Sequence, residues 1–172
     1  QGILQPIRWN ISFDGRERVI TPLLGKPFSA QLDEEKRPVK VFTAFINDEG
    51  VGTMMGQLAS GKIVKVKRAG EVDFLTDEVV FTTTRMEQDL KVRLTSLVID
   101  EDQTNAYGGT DKGDIVWWQL QKNGLENPQI VSSGSSKITA LSLLIGGRSL
   151  IVGSEDGSLS VWFPVRNEAN HF

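Results

Sequence analysis

The chain has 172 residues, 19 of them Lys or Arg and 22 Asp or Glu, for a formal net charge of −3. That length suits one domain with its own core, and the near balance of charge gives no long-range field for gripping nucleic acid or an anionic membrane surface. Cysteine is absent, which excludes disulfide frameworks, thiolate metal sites and cysteine nucleophiles, and no run of about 18 apolar residues offers a membrane span.

Taken in chain order, "ILQPIRWNISFDGRERVITPLL" predicts two strands joined at Asp14-Gly15, a specific hairpin signal. "GKPFSAQLDEEKRPVK" mixes proline, glycine and clustered charge and reads as a surface crossing. "VFTAFIN" (residues 41–47), "TMMGQLAS" and "GKIVKVKR" then give strand, turn, strand, turn, strand. "GEVDFL" is expected to be a further strand, and "EVVFTTTRMEQDLKVRL" a long one running on to Leu94. Lys65 and Lys67 alternate on one face with Arg68 beside them, where an anion such as phosphate is conceivable; an exposed, solvated strand face is the weightier reading.

The second half is more regular. "LTSLVID", "TNAYGGT" and "DIVWWQL" predict three strands, and "ITALSLL", "SLIVGSE" and "SLSVWFP" three more, separated by the turns "DEDQ", "TDKGD", "IGGR" and "SEDGS". Sliding residues 94–118 onto 138–162 without a gap pairs Thr95 with Thr139, Leu97 with Leu141, Gly109 with Gly153, Gly113 with Gly157 and Trp118 with Trp162, and brings Asp111 onto Glu155. A period of 44 residues falls in the range of a four-stranded propeller blade and is too long for leucine-rich, ankyrin or tetratricopeptide units.

The expected fold is therefore all-β, a partial β-propeller of three to four WD-like, four-stranded antiparallel blades. Residues 1–172 form a single propeller-like unit, with diverged blades over 1–92, a clear blade over 93–136 and another over 137–166 that continues past the end of the segment. In the diverged part Gly61 takes the role of Gly113, and Val66 stands where the tryptophan would be. Gly113 and Gly157 belong in hairpins that need left-handed backbone angles, and Trp118 and Trp162 belong between neighbouring blades. The last blade lacks a visible fourth strand, so either the N-terminal strand completes it or the missing strand lies beyond Phe172, and an unpaired edge of that sort would pair two copies of the chain.

"GSEDGSLSVWF", residues 153–163, resembles the WD-type pattern of glycine, serine, aspartate, glycine and alternating aliphatics closing on tryptophan. Phe163 and Gln119 stand where the family has its closing aspartate, and no Gly-His pair is present, so the buried Asp-His-Ser/Thr-Trp network of typical WD repeats is not expected. More narrowly, "GSEDGSLSVWFPVRNE" followed by "HF" resembles the large inserted domain of certain proteobacterial phosphate ABC transporter permeases, through Asp156, Gly157, Trp162, Phe163, Val165 and Arg166. That resemblance implies a segment on the periplasmic side of the inner membrane. Its partners would be other parts of the same permease and a solute-binding protein or regulator. The matched residues have structural roles, since translocation belongs to the membrane part.

Chemistry finds little support. "IDEDQ" (Asp100, Glu101, Asp102) and "NDEG" offer oxygen ligands in tight turns without the spacing of a calcium loop, and solvated turns are the preferred reading. His171 is the single histidine, which leaves no triad or zinc site, and the glycines sit in hairpins, not in the strand-to-helix turn of a nucleotide fingerprint. No catalytic residue, metal or cofactor is expected. The leading expectation is a non-catalytic extracytoplasmic domain of a phosphate permease; the alternative is a protein-interaction propeller of WD-like or PQQ-like type unrelated to transport. A sugar-binding propeller with Asp-box-like turns fits worse, because the spacing from Ser154 to Trp162 is wrong for it.

Overall fold

A computed structural model describes residues 7–24, 39–46, 51–73, 75–120, 125, 128–132, 134–144 and 146–163. All regular structure among them is β. The chain opens with a hairpin, β1 (Ile7–Asp14) against β2 (Glu17–Leu24), whose two-residue loop begins with Gly15 at φ 64°. Three antiparallel meanders follow. The first sheet runs β3 (Val39–Ile46), β4 (Gly52–Leu58), β5 (Ile63–Val72) and β6 (Val79–Gln88). The second runs β7 (Leu94–Ile99), β8 (Asn105–Thr110), β9 (Asp114–Gln119) and β10 (Gln129–Ser132). The third contains β11 (Ile138–Leu143), β12 (Leu150–Ser154) and β13 (Leu159–Trp162).

The sheets stack in chain order through their first strands, β3 beside β7 and β7 beside β11. This is the radial arrangement of a partial propeller, and the sheet pairings fix its repeat residue by residue. Ala106 pairs with Trp118 and Leu150 with Trp162, the same cell of the ladder 44 residues apart. In the first sheet Met54 pairs with Val66, so the corresponding shift to the second sheet is 52 along β4 and β5. Each first strand also carries a bulge near its start, at Lys40, Thr95 and Thr139. A bulge is a specified irregularity, and its recurrence argues for one repeated unit.

Alternation along each strand then gives each sheet two packing faces. Leu94, Leu97, Ile99, Ala106, Val116 and Trp118 of the second sheet cluster with Met55 and Ile63 of the first. Their counterparts in the third sheet, Ile138 and Leu150 with Leu141, Leu143 and Trp162 packed against them, cluster together with Val152 and with Ile115 of the second. Val39, Phe42, Met54, Val64 and Val66 form the equivalent cluster on the first sheet. The core is thus a series of apolar layers, two of them between sheets and one made of first-sheet residues alone.

Four details differ from the sequence reading. "GEV" does not start a separate strand: Gly70–Val72 is the end of β5, because it continues the β5–β6 ladder without a break, Gly70 opposite Phe81 and Val72 opposite Val79. The long strand into Leu94 stops at Gln88, and residues 89–93 make the crossing between sheets. β10 is a fourth strand that the sequence reading did not place. The N-terminal strand pairs only with β2 among the described residues, leaving β13 as an edge. The crossing expected at residues 25–40 lies largely outside the described residues.

Candidate functional site

The turns are the first place to look for chemistry. Asp100, expected to be solvated, is buried at the end of β7, and its carboxylate is consumed by the turn that follows. The backbone N–H groups of Thr104 and Asn105 donate to Oδ1 at 2.7 and 3.0 Å, while the Thr104 hydroxyl and the Asn105 amide donate to Oδ2 at 2.9 and 2.8 Å. Asn105 Oδ1 in turn accepts from Trp117 Nε1 at 2.9 Å. Four donors on one carboxylate make a closed structural network, with no vacant ligand position. Glu101 and Asp102 beside it are exposed. The other acidic turn considered, "NDEG" at 47–50, lies outside the described residues.

The hairpins between second and third strands are built to one plan. Gly61, Gly113 and Gly157 have φ of 92°, 86° and 84°, angles that favour glycine. Gly113 is further constrained, because a Cβ there would lie 2.6 Å from the Gly134 carbonyl oxygen and 2.7 Å from that of Ser136. In the third sheet Asp156 Oδ1 accepts from the Ser158 hydroxyl at 2.7 Å and from its N–H at 2.9 Å; the hydroxyl bond, then the backbone bond, holds the Asp156 carboxyl below its ordinary value. Lys137 reaches Glu155 at 3.2 Å across the same turn. These are turn-forming contacts on an exposed rim.

The basic strand is where the structure corrects the sequence most. Lys65 does not lie on a solvated face: it is 3% exposed, on the side of β5 that carries Ile63 and looks toward the second sheet. Burial first, and Lys67 second, pull its pKa down. Lys67 is half-buried on that same side, whereas Arg68 points the opposite way and stacks over the Phe81 ring at 4.3 Å. The three cations are therefore split between two faces and do not converge on an anion.

The remaining sequence-predicted residues lie at the joints between sheets. Trp118 is fully buried between the first and second sheets, and its Nε1 has no hydrogen-bond partner among the described residues. Trp162 is half-buried against the layer of the second and third sheets and donates Nε1–H to Ser160 Oγ at 3.0 Å. Gly109 is pressed against Ile138 of the third sheet, and Gly153 occupies the same ladder position one sheet further on. His171, Val165 and Arg166 lie outside the described residues. Among those described, no group of three or more His, Asp or Glu is placed to hold a metal, and no helix is long and apolar enough to cross a membrane.

What the molecule presents outward is apolar strand. Ile7, Trp9, Ile11 and Phe13 share one face of β1, with Leu24, Pro22, Ile20 and Arg18 opposite them on β2, and that face is open, Trp9 at 60% and Phe13 at 71% exposure. Val79, Val80 and Phe81 of β6 are exposed as well, as are Leu159, Val161 and Phe163 at the other end of the stack. Sequence reasoning located these strands but not their exposure, which depends on what lies beside them. No protein-family model matches the chain, and no curated protein matches it either.

Proposed function

We propose that this chain is a non-catalytic accessory domain of a phosphate ABC transporter permease, held on the periplasmic side of the inner membrane and serving as an interaction or structural surface in phosphate import. The observation that carries the interaction role is the open apolar face of the β1–β2 hairpin. A lone two-stranded hairpin is marginal in water, and a contiguous exposed apolar patch is a common mark of a protein contact. The link to phosphate import comes from the resemblance of residues 153–168, whose described part is the β12–β13 hairpin and its closing Trp162-Phe163. On this reading the hairpin face contacts other parts of the permease or a solute-binding protein.

The test uses the full polypeptide that carries this chain, in cells. Protease added to spheroplasts should cleave within the segment, and Trp9→Asp with Phe13→Asp should lower radiolabelled phosphate uptake several-fold while the protein stays at normal abundance. Protection from protease together with unchanged uptake would favour a propeller unconnected with transport.

A further inference from the structure

The joint between the second and third sheets has three working parts. Ile115 lies in it at 4% exposure, packed with Ile138, Leu150 and Val152. Gly109 leaves a notch filled by Ile138, whose Cγ2 would overlap a Cβ at that position. Thr95, the bulge residue, sets its hydroxyl 3.0 Å from the Gly109 carbonyl oxygen and 2.5 Å from that of Ile138, so that its proton reaches the neighbouring sheet.

All three parts recur on the far side of the third sheet, where no further described sheet faces them: Thr139 and Leu159 are exposed, and Gly153 is buried only beside Leu159 and Ala140 of its own sheet. Leu159 holds the Ile115 position at 77% exposure. Thr139 repeats the Thr95 bulge, its hydroxyl donating to the Gly153 carbonyl oxygen at 3.2 Å. Gly153 repeats Gly109, yet nothing within its own sheet demands a glycine. Its φ lies outside the left-handed region, and an added Cβ would make only ordinary contacts, 3.5 Å from Leu159 and 3.6 Å from Ala140. Glycine inside a strand weakens it unless another backbone or side chain approaches closely.

We infer that the Thr139, Gly153 and Leu159 face of the third sheet is a docking surface for one further antiparallel sheet of this same repeat, seated as the third sheet sits on the second. The strand it receives carries a branched aliphatic residue in the Ile138 position: the side chain enters the Gly153 notch, and the carbonyl accepts from Thr139 Oγ1. The established joint continues into this surface in register, which identifies the occupant. A second copy of the chain fits less well, because Met54, Val64 and Val66 of the first sheet's matching layer are already buried, with Val39 and Phe42 partly buried against them. This inference does not rest on the transport reading.

The experiment compares the 172-residue chain with an extended chain in which residues 120–163 are repeated once directly after residue 163, keeping the 44-residue period. The chain has no native cysteine, so Leu159→Cys gives a single reporter thiol. In the extended chain its alkylation should slow at least tenfold, and Gly153→Ala, silent in the original, should lower the denaturation midpoint. Thr139→Val should act in the same direction by less. Equal alkylation rates with Gly153→Ala silent in both chains overturn the inference. So does an appended segment that is proteolysed while the original part keeps its own transition, because the face then failed to receive it. Sedimentation of the original chain as a dimer with the reporter thiol protected overturns it too, by identifying a second copy as the occupant.

Discussion

The two joints of the stack solve one geometric problem by opposite means. Gln57 and Gly109 hold the same ladder position: Gln57 lies between Val41 and Ile63, Gly109 between Ser96 and Ile115. At the first joint the Gln57 amide reaches across. Its Oε1 accepts from Leu94 N–H at 2.8 Å, and its Nε2 donates to the carbonyl oxygens of Val92 at 2.8 Å and Gly61 at 3.1 Å. At the second joint the side chain is missing altogether, and Ile138 fills the space. At this ladder position one junction depends on paired polar groups and the other on atoms being absent, the cross-sheet hydrogen bond of the second joint coming instead from Thr95 at the bulge. A fixed topology therefore does not fix the chemistry that holds it.

The largest break in this comparison should come from the indoles. Trp118 is enclosed on all sides at the first joint, so Trp118→Ala should cost about 3–5 kcal/mol through lost burial and the cavity left behind. Trp162, half-buried at the second, should cost roughly half as much on substitution. Paired urea titrations measure both, and equal losses would mean that the joints are not the distinct environments described. Next in size is the glycine pair. Gly109→Ala drives a methyl into Ile138 and should cost about 3 kcal/mol, whereas Gly153→Ala, with room for its methyl, should change stability by less than about 0.5 kcal/mol.

A smaller effect sharpens the polar side of the contrast. Gln57→Leu keeps the bulk but strips Leu94 N–H and Val92 C=O of their partner in a buried setting, with an expected loss of about 2 kcal/mol. The change should also speed amide hydrogen exchange at Leu94 while leaving Ile138 as it was. Faster exchange at both amides would show that the joints open as a single unit.

The second and third sheets were readable in the sequence because their repeat keeps identity where geometry allows least choice. Glycine stands at 109/153 and 113/157, threonine at the 95/139 bulge and tryptophan at 118/162. The first sheet was harder to align for physical reasons. Val66 replaces the indole, and the shift is 52 along β4 and β5 against 44 between the later sheets, so a comparison at the 44-residue period misses it. β10 escaped because Gln129–Ser132 is only four residues long and follows a polar stretch. The burial of Lys65 is hidden for a deeper reason: alternation says which residues share a face, but the sheet lying against that face decides whether it is wet. Asp100 shows the same limit, since "DEDQ" looks like a solvated turn until the four donors around its carboxylate are in place.

The least disruptive way to separate the joints is alkaline titration, because each holds one displaced group. Lys65 faces the first joint with a pKa lowered from 10.5 by burial and by Lys67. Tyr107 packs against the second with a pKa raised from 10.0 by burial and by Asp100. Below 10.5 the unfolded chain binds more protons at Lys65 than the folded chain does, so stability should climb as the pH rises through the depressed folded value toward 10.5. For Tyr107 the sign reverses: the folded phenol keeps its proton after the unfolded one has lost it, so stability should fall as the pH rises above 10.0. Lys65→Met should flatten the climb and leave the fall, and Tyr107→Phe should do the opposite. Tyr107 is the single tyrosine, so the phenolate absorbance change reports its ionisation without ambiguity. A midpoint at or below 10.0 in the folded chain, or a stability profile that neither substitution alters, would show that these groups do not feel the joints at all.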